Sequence, residues 1–373
     1  LARNSTLRVA VALLIGLLCL WLSLRGVPLA ALRDQMLRFS PSLVGLAALC
    51  VVLVAAGKAL RWQWLYGAGV PPRPWLTHFA ILMIGQMLNL VIPIRIGELA
   101  RLGLMRQEDR PLGVTFGTIV VEKALDLLAL GLIVLLAVPL ALLPDALRRE
   151  SGVGGLLLGA AVFAGLLLLG RYHAPLLRRL ERMDTTKGGR LVTGARRGAM
   201  AVLRSFGSLT AAQLARVAAL TAGVWLLSLA TMQVMLAASG LALGWGAALA
   251  LMLALTSSNW APTPPAMIGI VGAVTVAVLA AFGVDQARAL ALGTILNVVL
   301  VGPPVVLGSI ALTVRLWRLG ETLTLRSLRR AFVMIWTTDA RLTLALAAVS
   351  TVAALIPAGI AFVAKRIVDG IVR

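Results

Sequence analysis

Charge is scarce in this 373-residue chain: Asp, Glu, Lys and Arg make up 13% of it, against about 25% in a soluble domain. Acidic residues are the rarer kind, 14 against 35 Lys and Arg. Only two cysteines occur, Cys19 and Cys50, both inside apolar runs, so neither a disulfide framework nor a thiolate metal site is indicated. Histidine is as rare, His78 and His173. With no G-x-x-x-x-G-K-[ST] phosphate loop and no acidic metal-binding pair in a polar loop, nothing in the sequence calls for a metal or other cofactor.

What is abundant is hydrocarbon. Sixty per cent of the residues are apolar (60%), which excludes an ordinary soluble domain and places the chain in a bilayer. The formal charge of +21 could suggest nucleic acid, but the cations lie between apolar runs and not on one polar face. They read as topology determinants beside anionic lipid, with membrane lipids as partners and no nucleic acid.

Runs of about 20 apolar residues predict spans at 7–24, 43–65, 113–143, 153–170, 214–241, 287–312 and 342–364. The first follows Arg3 and Arg8 but lacks a small-residue cleavage site, and reads as a retained span. Two stretches, 76–105 and 246–284, are apolar at both ends and broken in the middle by proline, glycine and polar residues. Non-helical backbone at membrane depth survives only where protein buries it or a cavity is lined by it. Both are therefore expected to be re-entrant hairpins or discontinuous helices. Nine basic residues between Arg171 and Arg204, against Glu181 and Asp184, make that loop cytoplasmic. Counting outward puts the N-terminus inside, the 25–38 loop outside, and the arginine-rich 315–341 segment inside.

The broken stretches match each other. The first carries Asn89, Pro93-x-x-x-Gly97 and then Gly117-Thr-Ile, and the second Asn259, Pro265-x-x-x-Gly269 and then Gly293-Thr-Ile. Entered from opposite sides, they predict an all-α polytopic membrane protein built as an inverted-topology repeat, with its binding site between the halves.

One charged constellation stands out. Pro93 suits the first position of a helix, and behind it Arg95, Glu98 and Arg101, spaced by three, share a helical face. The next segment carries Glu122, Lys123 and Asp126. Two guanidinium forks and a helix N-terminus suit a phosphate head group; the same residues also suit an ion-pair network locking two helices. The second break offers Asn259, Pro262, Pro264, Pro265 and Gly269 as hinge or backbone donors and no charge. Lys58 and Arg61 near a span end read either as reaching lipid phosphates or, more commonly for such residues, as snorkelling cations, and Trp62, Trp64, Trp75, Trp225 and Trp245 as interface anchors.

The string N-L-V-I-P-I-R-I-G-E-L-A-R at 89–101 resembles a signature of the lysylphosphatidylglycerol synthase transmembrane-region family of flippase-like proteins. Glu122-Lys-x-x-Asp126 looks like its E-[RK]-x-x-D element, and 262–283 is similar to its P-x-x-P-G-G-x-G-x-x-E element. Here that element has Ala266-Met267 for the glycine pair and Gly272 for the glutamate. The resemblance implies two pseudo-symmetric halves in the cell inner membrane. It also implies handling of a phosphate-bearing lipid: an aminoacylated phospholipid in members fused to a synthase domain, a polyprenyl-linked sugar or hopanoid in others. Residues 326–373 resemble the elbow and first membrane helix of an ABC exporter, or form an ordinary extra span. The expected organisation is thus a flippase-like domain at 1–312, a basic cytoplasmic linker at 313–341, and a further span at 342–373, a fused or truncated exporter start. A lipid transferase, or an anchor or partner subunit for an ABC exporter or a synthase, is the competing reading.

Overall fold

The computed structural model describes residues 17, 21, 24, 27–67, 73–92, 96–137, 171–172, 174–182, 190–207, 210–258 and 265–318. The expected spans at 7–24 (three helical positions apart), 153–170 and 342–364 lie outside the described residues, as does 138–143. Among the described residues every regular element is helical: α1 (Leu29–Leu37), α2 (Pro41–Trp64), α3 (Trp75–Val91), α4 (Gly97–Arg106), α5 (Leu112–Ala137), α6 (Arg190–Gly207), α7 (Ala211–Ala238), α8 (Trp245–Ser258), α9 (Ile270–Ala280) and α10 (Gln286–Arg318).

Length and composition let α2, α7 and α10 cross a membrane. Their 24, 28 and 33 residues correspond to roughly 36 to 50 Å of helix, against about 30 Å of hydrocarbon. α5 is as long, 26 residues, but carries Glu122, Lys123 and Asp126 on consecutive turns. Local chemistry sets several of the starts. Thr210 and Gln213 form a reciprocal capping box ahead of α7, with hydrogen bonds of 3.2 and 2.9 Å. Asp285 Oδ2 accepts from the amides of Ala287 and Arg288 at 3.1 and 3.2 Å to open α10. α10 then runs without interruption to Arg318, across the expected domain boundary at 312.

Both broken stretches are helical hairpins with one short arm. α4 follows α3, and among the described residues a 3₁₀ turn at Pro265–Met267 stands between α8 and α9. The arms α4 and α9 have 10 and 11 residues, about 15 Å, too short to cross. Each arm ends in the same closure. The Arg110 amide reaches back to the Met105 carbonyl at 3.1 Å, and the Val284 amide to Leu279 at 3.1 Å. Asp109 and Gly283 supply the left-handed residue, at φ 59° and 72°. α4 begins at Gly97, with Ile96 in the cap position, and not at Pro93 as expected.

The expected 25–38 loop instead contains α1, whose Leu32 and Met36 pack on the main core while the helix lies against α10. Part of the basic 171–204 loop is helical too. α6 lies on α5, with Leu203 buried and Gly198 under Phe116. α2 packs along α7, α10 along α3, and α9 folds back on α10. At that last seam Gly272 and Gly293 touch so closely that a Cβ on Gly293 would lie 2.8 Å from the Gly272 Cα. One apolar core joins α7 to α10, and a smaller one gathers Trp62, Ile81, Met105, Phe116 and Ile119 at the other end.

Candidate functional site

The charged residues on α4 and α5 converge because the hairpin α3–α4 is very tight. A Cβ on Gly97 would collide with the Gly85 carbonyl oxygen and with the Asn89 side chain. At this crossing Asn89 Oδ1 accepts from the Gly97 amide at 2.7 Å, and Asn89 Nδ2 donates to Glu98 Oε2 at 3.2 Å. An amide that the sequence reading offered to an anion is thus already capped by Asn89.

Two ion pairs join α4 to α5. Arg101 holds Glu122 through both terminal nitrogens, at 2.6 and 3.4 Å, and Lys123 Nζ lies 3.2 Å from Glu98 Oε1. A third comes from α2. Arg61 Nη1 donates to Asp126 Oδ1 at 2.7 Å and to Thr221 Oγ1 at 3.3 Å, while its Nη2 stands 4.0 Å from Glu122 Oε1. Arg61 is fully buried (0% exposed), which corrects the snorkelling reading. It sits one turn from the end of α2, but α5 and α7 cover that turn, so the guanidinium meets carboxylates and not water.

Trp62 is likewise buried at 0% exposure and is not an interface anchor. Its Nε1 donates to Thr118 Oγ1 at 3.1 Å, and its ring lies 3.9 Å beneath the Arg101 guanidinium. Thr118 in turn donates to the Thr115 carbonyl at 2.8 Å, and the Tyr66 hydroxyl to Thr115 Oγ1 at 3.1 Å. Burial pushes the Tyr66 phenol up to about 12, so it stays a neutral donor in this chain. Trp75 and Trp245 are half-exposed.

Beside these pairs lies a cavity of about 410 Å³, within the range of small-molecule sites. Lys58, Gln86, Asn89, Glu98, Lys123 and Asp126 form its polar wall, and Val51, Val54, Met252, Leu255 and Leu300 are among its apolar lining. Trp225, Ser228, Thr231 and Thr256 add polar atoms from α7 and α8. The Trp225 indole N–H is buried without an acceptor among the described residues. Arg101 and Glu122 do not line the cavity; they stand behind it as a paired wall.

Across cavity and wall, four cations (Lys58, Arg61, Arg101, Lys123) face three carboxylates (Glu98, Glu122, Asp126). Arg61, Arg101 and Lys123 each have an acidic partner within 4.0 Å. Lys58 has none among the described residues, and it opens onto the cavity. Among the described residues the site therefore holds one surplus positive charge.

Asn89, Gly97, Glu98, Arg101, Glu122, Lys123 and Asp126 are thus brought together as the sequence suggested. Pro93, Arg95, Asn259, Pro262 and Pro264 lie outside the described residues. From the second break, Met267 reaches the cavity and Gly269 caps α9 at φ 81°. Pro265 opens the 3₁₀ turn, in which Ala266 and Met267 take φ of 54° and 55°. Those are the positions where the resembling family element carries glycines, the residue for which such φ values are unstrained. Sequence reasoning missed Trp225 as a site residue, and for Lys58 and Arg61 it put snorkelling ahead of a contact with lipid phosphate. Their signal was present: Lys58 and Arg61 are three apart on one face, and cations so placed in an apolar helix need partners.

A family profile described as Lysylphosphatidylglycerol synthase TM region matches residues 9–308. No match was found among curated proteins or among solved structures.

Proposed function

The chain belongs to the lysylphosphatidylglycerol synthase transmembrane-region family, and from that footing we propose that it binds and translocates a lipid with a phosphate-bearing head group in the central cavity. As a member of that family it is a membrane protein tied to lipid metabolism or transport. The observation that carries the finer reading is Lys58, a cation with no acidic partner within 4.0 Å among the described residues, which faces the cavity beside its polar wall. A buried charge of that kind is costly unless an anion meets it, and the lipid phosphate supplies one.

In this reading Lys58 binds the phosphate, joined by Lys123 and, from the break between α3 and α4, by Arg95. Glu98, Glu122 and Asp126 orient the cations, Arg61 and Arg101 hold the wall, and the Trp225 N–H donates to a head-group oxygen. Acyl chains lie against the apolar lining from α7, α8 and α10. The two proline- and glycine-rich breaks act as hinges, and the matched hairpins represent an inverted repeat that exposes the cavity alternately to the two leaflets. The N-terminus and the basic stretch around α6 lie on the cytoplasmic side of the inner membrane.

The test is a translocation assay on protein reconstituted in liposomes, following fluorescent phospholipids of different head groups. Wild type should move at least one phosphate-bearing lipid and Lys58→Gln should lose that activity while remaining folded. Equal movement by both proteins sinks the assignment of Lys58, and no movement of any lipid by wild type sinks translocation.

A further inference from the structure

On the other side of the α2–α7 seam from the central cavity lies a second space, a groove of about 470 Å³. Its lining is almost wholly apolar and comes only from these two helices. The groove exists because Gly57, Ala219 and Gly223 place so little side chain there; a Cβ on Gly223 would meet nothing within 4 Å. Val224 lines both spaces, and a Cβ on Gly57 would lie 2.9 Å from its Cγ2, so the seam between them is closed.

The two ends of the groove differ. Leu53 and Leu227 close one, while Trp64 and Arg216 form the other. Arg216 is exposed, its guanidinium 4.7 Å over the Trp64 ring, and it has no carboxylate partner among the described residues. From Arg216 to Leu227 on α7, and from Trp64 to Leu53 on α2, the walls run eleven residues, about 16 Å at the helical rise. That is a slot of acyl-chain length, headed by an uncompensated cation stacked on an interfacial tryptophan.

We infer that this groove is a binding site for an anionic phospholipid of the surrounding bilayer, one acyl chain lying over Gly57, Ala219 and Gly223 and the phosphate on Arg216. It is separate from the central cavity: no residue of the polar wall lines it, and it needs no movement of the lipid it holds. A zwitterionic lipid fills the same slot but leaves the charge of Arg216 less well matched, so the site selects net negative charge.

Native mass spectrometry of the full chain, titrated with phosphatidylglycerol and with phosphatidylcholine of equal chain length, tests this. Wild type should retain phosphatidylglycerol preferentially, by about tenfold, the order of one charge-assisted contact. Arg216→Gln should remove one preferentially retained phosphatidylglycerol per chain, and Gly223→Leu, which grows into open space, should remove one retained lipid of either kind. Adding Arg216→Gln to Lys58→Gln should lower phosphatidylglycerol retention further, which separates the groove from the cavity. Equal retention of the two lipids by wild type identifies ordinary annular contact and overturns the proposal. So does an unchanged preference in Arg216→Gln, or no retained lipid in wild type because another span of this chain or a second copy fills the groove.

Discussion

Arg61 and Asp126 meet at 2.7 Å across the α2–α5 seam, with the arginine fully buried (0% exposed) and the aspartate's side chain 21% exposed. Asp126 faces the cavity, so this pair ties the polar wall of the site to the helix that also carries Lys58. Removing one partner of such a pair leaves a buried charge uncompensated, at a cost of about 3–5 kcal/mol. Arg61→Leu and Asp126→Leu should each lower the thermal unfolding midpoint of the detergent-purified protein sharply, and the double variant should recover most of the loss. Additive losses in the double variant would show that the two residues do not act as a pair.

Lys58 behaves in the opposite sense. Its ammonium has no acidic partner among the described residues, so replacing it with a hydrocarbon of similar length should relieve a strain on the folded state. Lys58→Met is expected to unfold at a higher temperature than wild type, by the equivalent of about 1 kcal/mol, and to lose lipid movement. A lower unfolding temperature would mean that the lysine is paired in the folded protein.

Ala266 holds φ at 54° in the turn before α9. For a residue with a Cβ the left-handed region costs roughly 1–2 kcal/mol. Ala266→Gly should therefore stabilise the protein by about 1 kcal/mol, net of the entropy glycine adds to the unfolded chain, read as a raised midpoint in the same assay. Met267 has a similar φ of 55° but is buried at 6% exposure and lines the cavity. Met267→Gly removes that packing and should destabilise, so opposite signs at adjacent positions are the expected signature.

Trp225 lines the cavity, and its indole N–H is buried without an acceptor among the described residues. Trp225→Phe keeps the ring and deletes only the donor. Stability should be unchanged to within about 0.5 kcal/mol, while lipid binding, measured by the lipid concentration that half-saturates transport, should weaken several-fold. A large drop in stability with unchanged half-saturation would make Trp225 a packing residue.

Composition and run length alone determined that this chain is a helical membrane protein, because about 20 consecutive apolar residues have few other ways to lie in a hydrocarbon layer. The same local logic located the two broken stretches, since proline and glycine act on the backbone where they stand, and it drew attention to Glu98, Arg101, Glu122, Lys123 and Asp126, because charge inside an apolar run is visible without neighbours. The helix start at Gly97 was not legible: the cap comes from Asn89 on the preceding arm, at 2.7 Å, and a tight hairpin is needed to bring it there. Nor was the division of labour among the cations. Lys58 and Arg61 lie one turn apart on the same helix, yet one is clamped by Asp126 and the other faces the cavity. Only the tertiary structure decides which cation is paired and which faces the cavity, because burial and counter-charge are set by what packs against a helix face and not by the helix's own sequence.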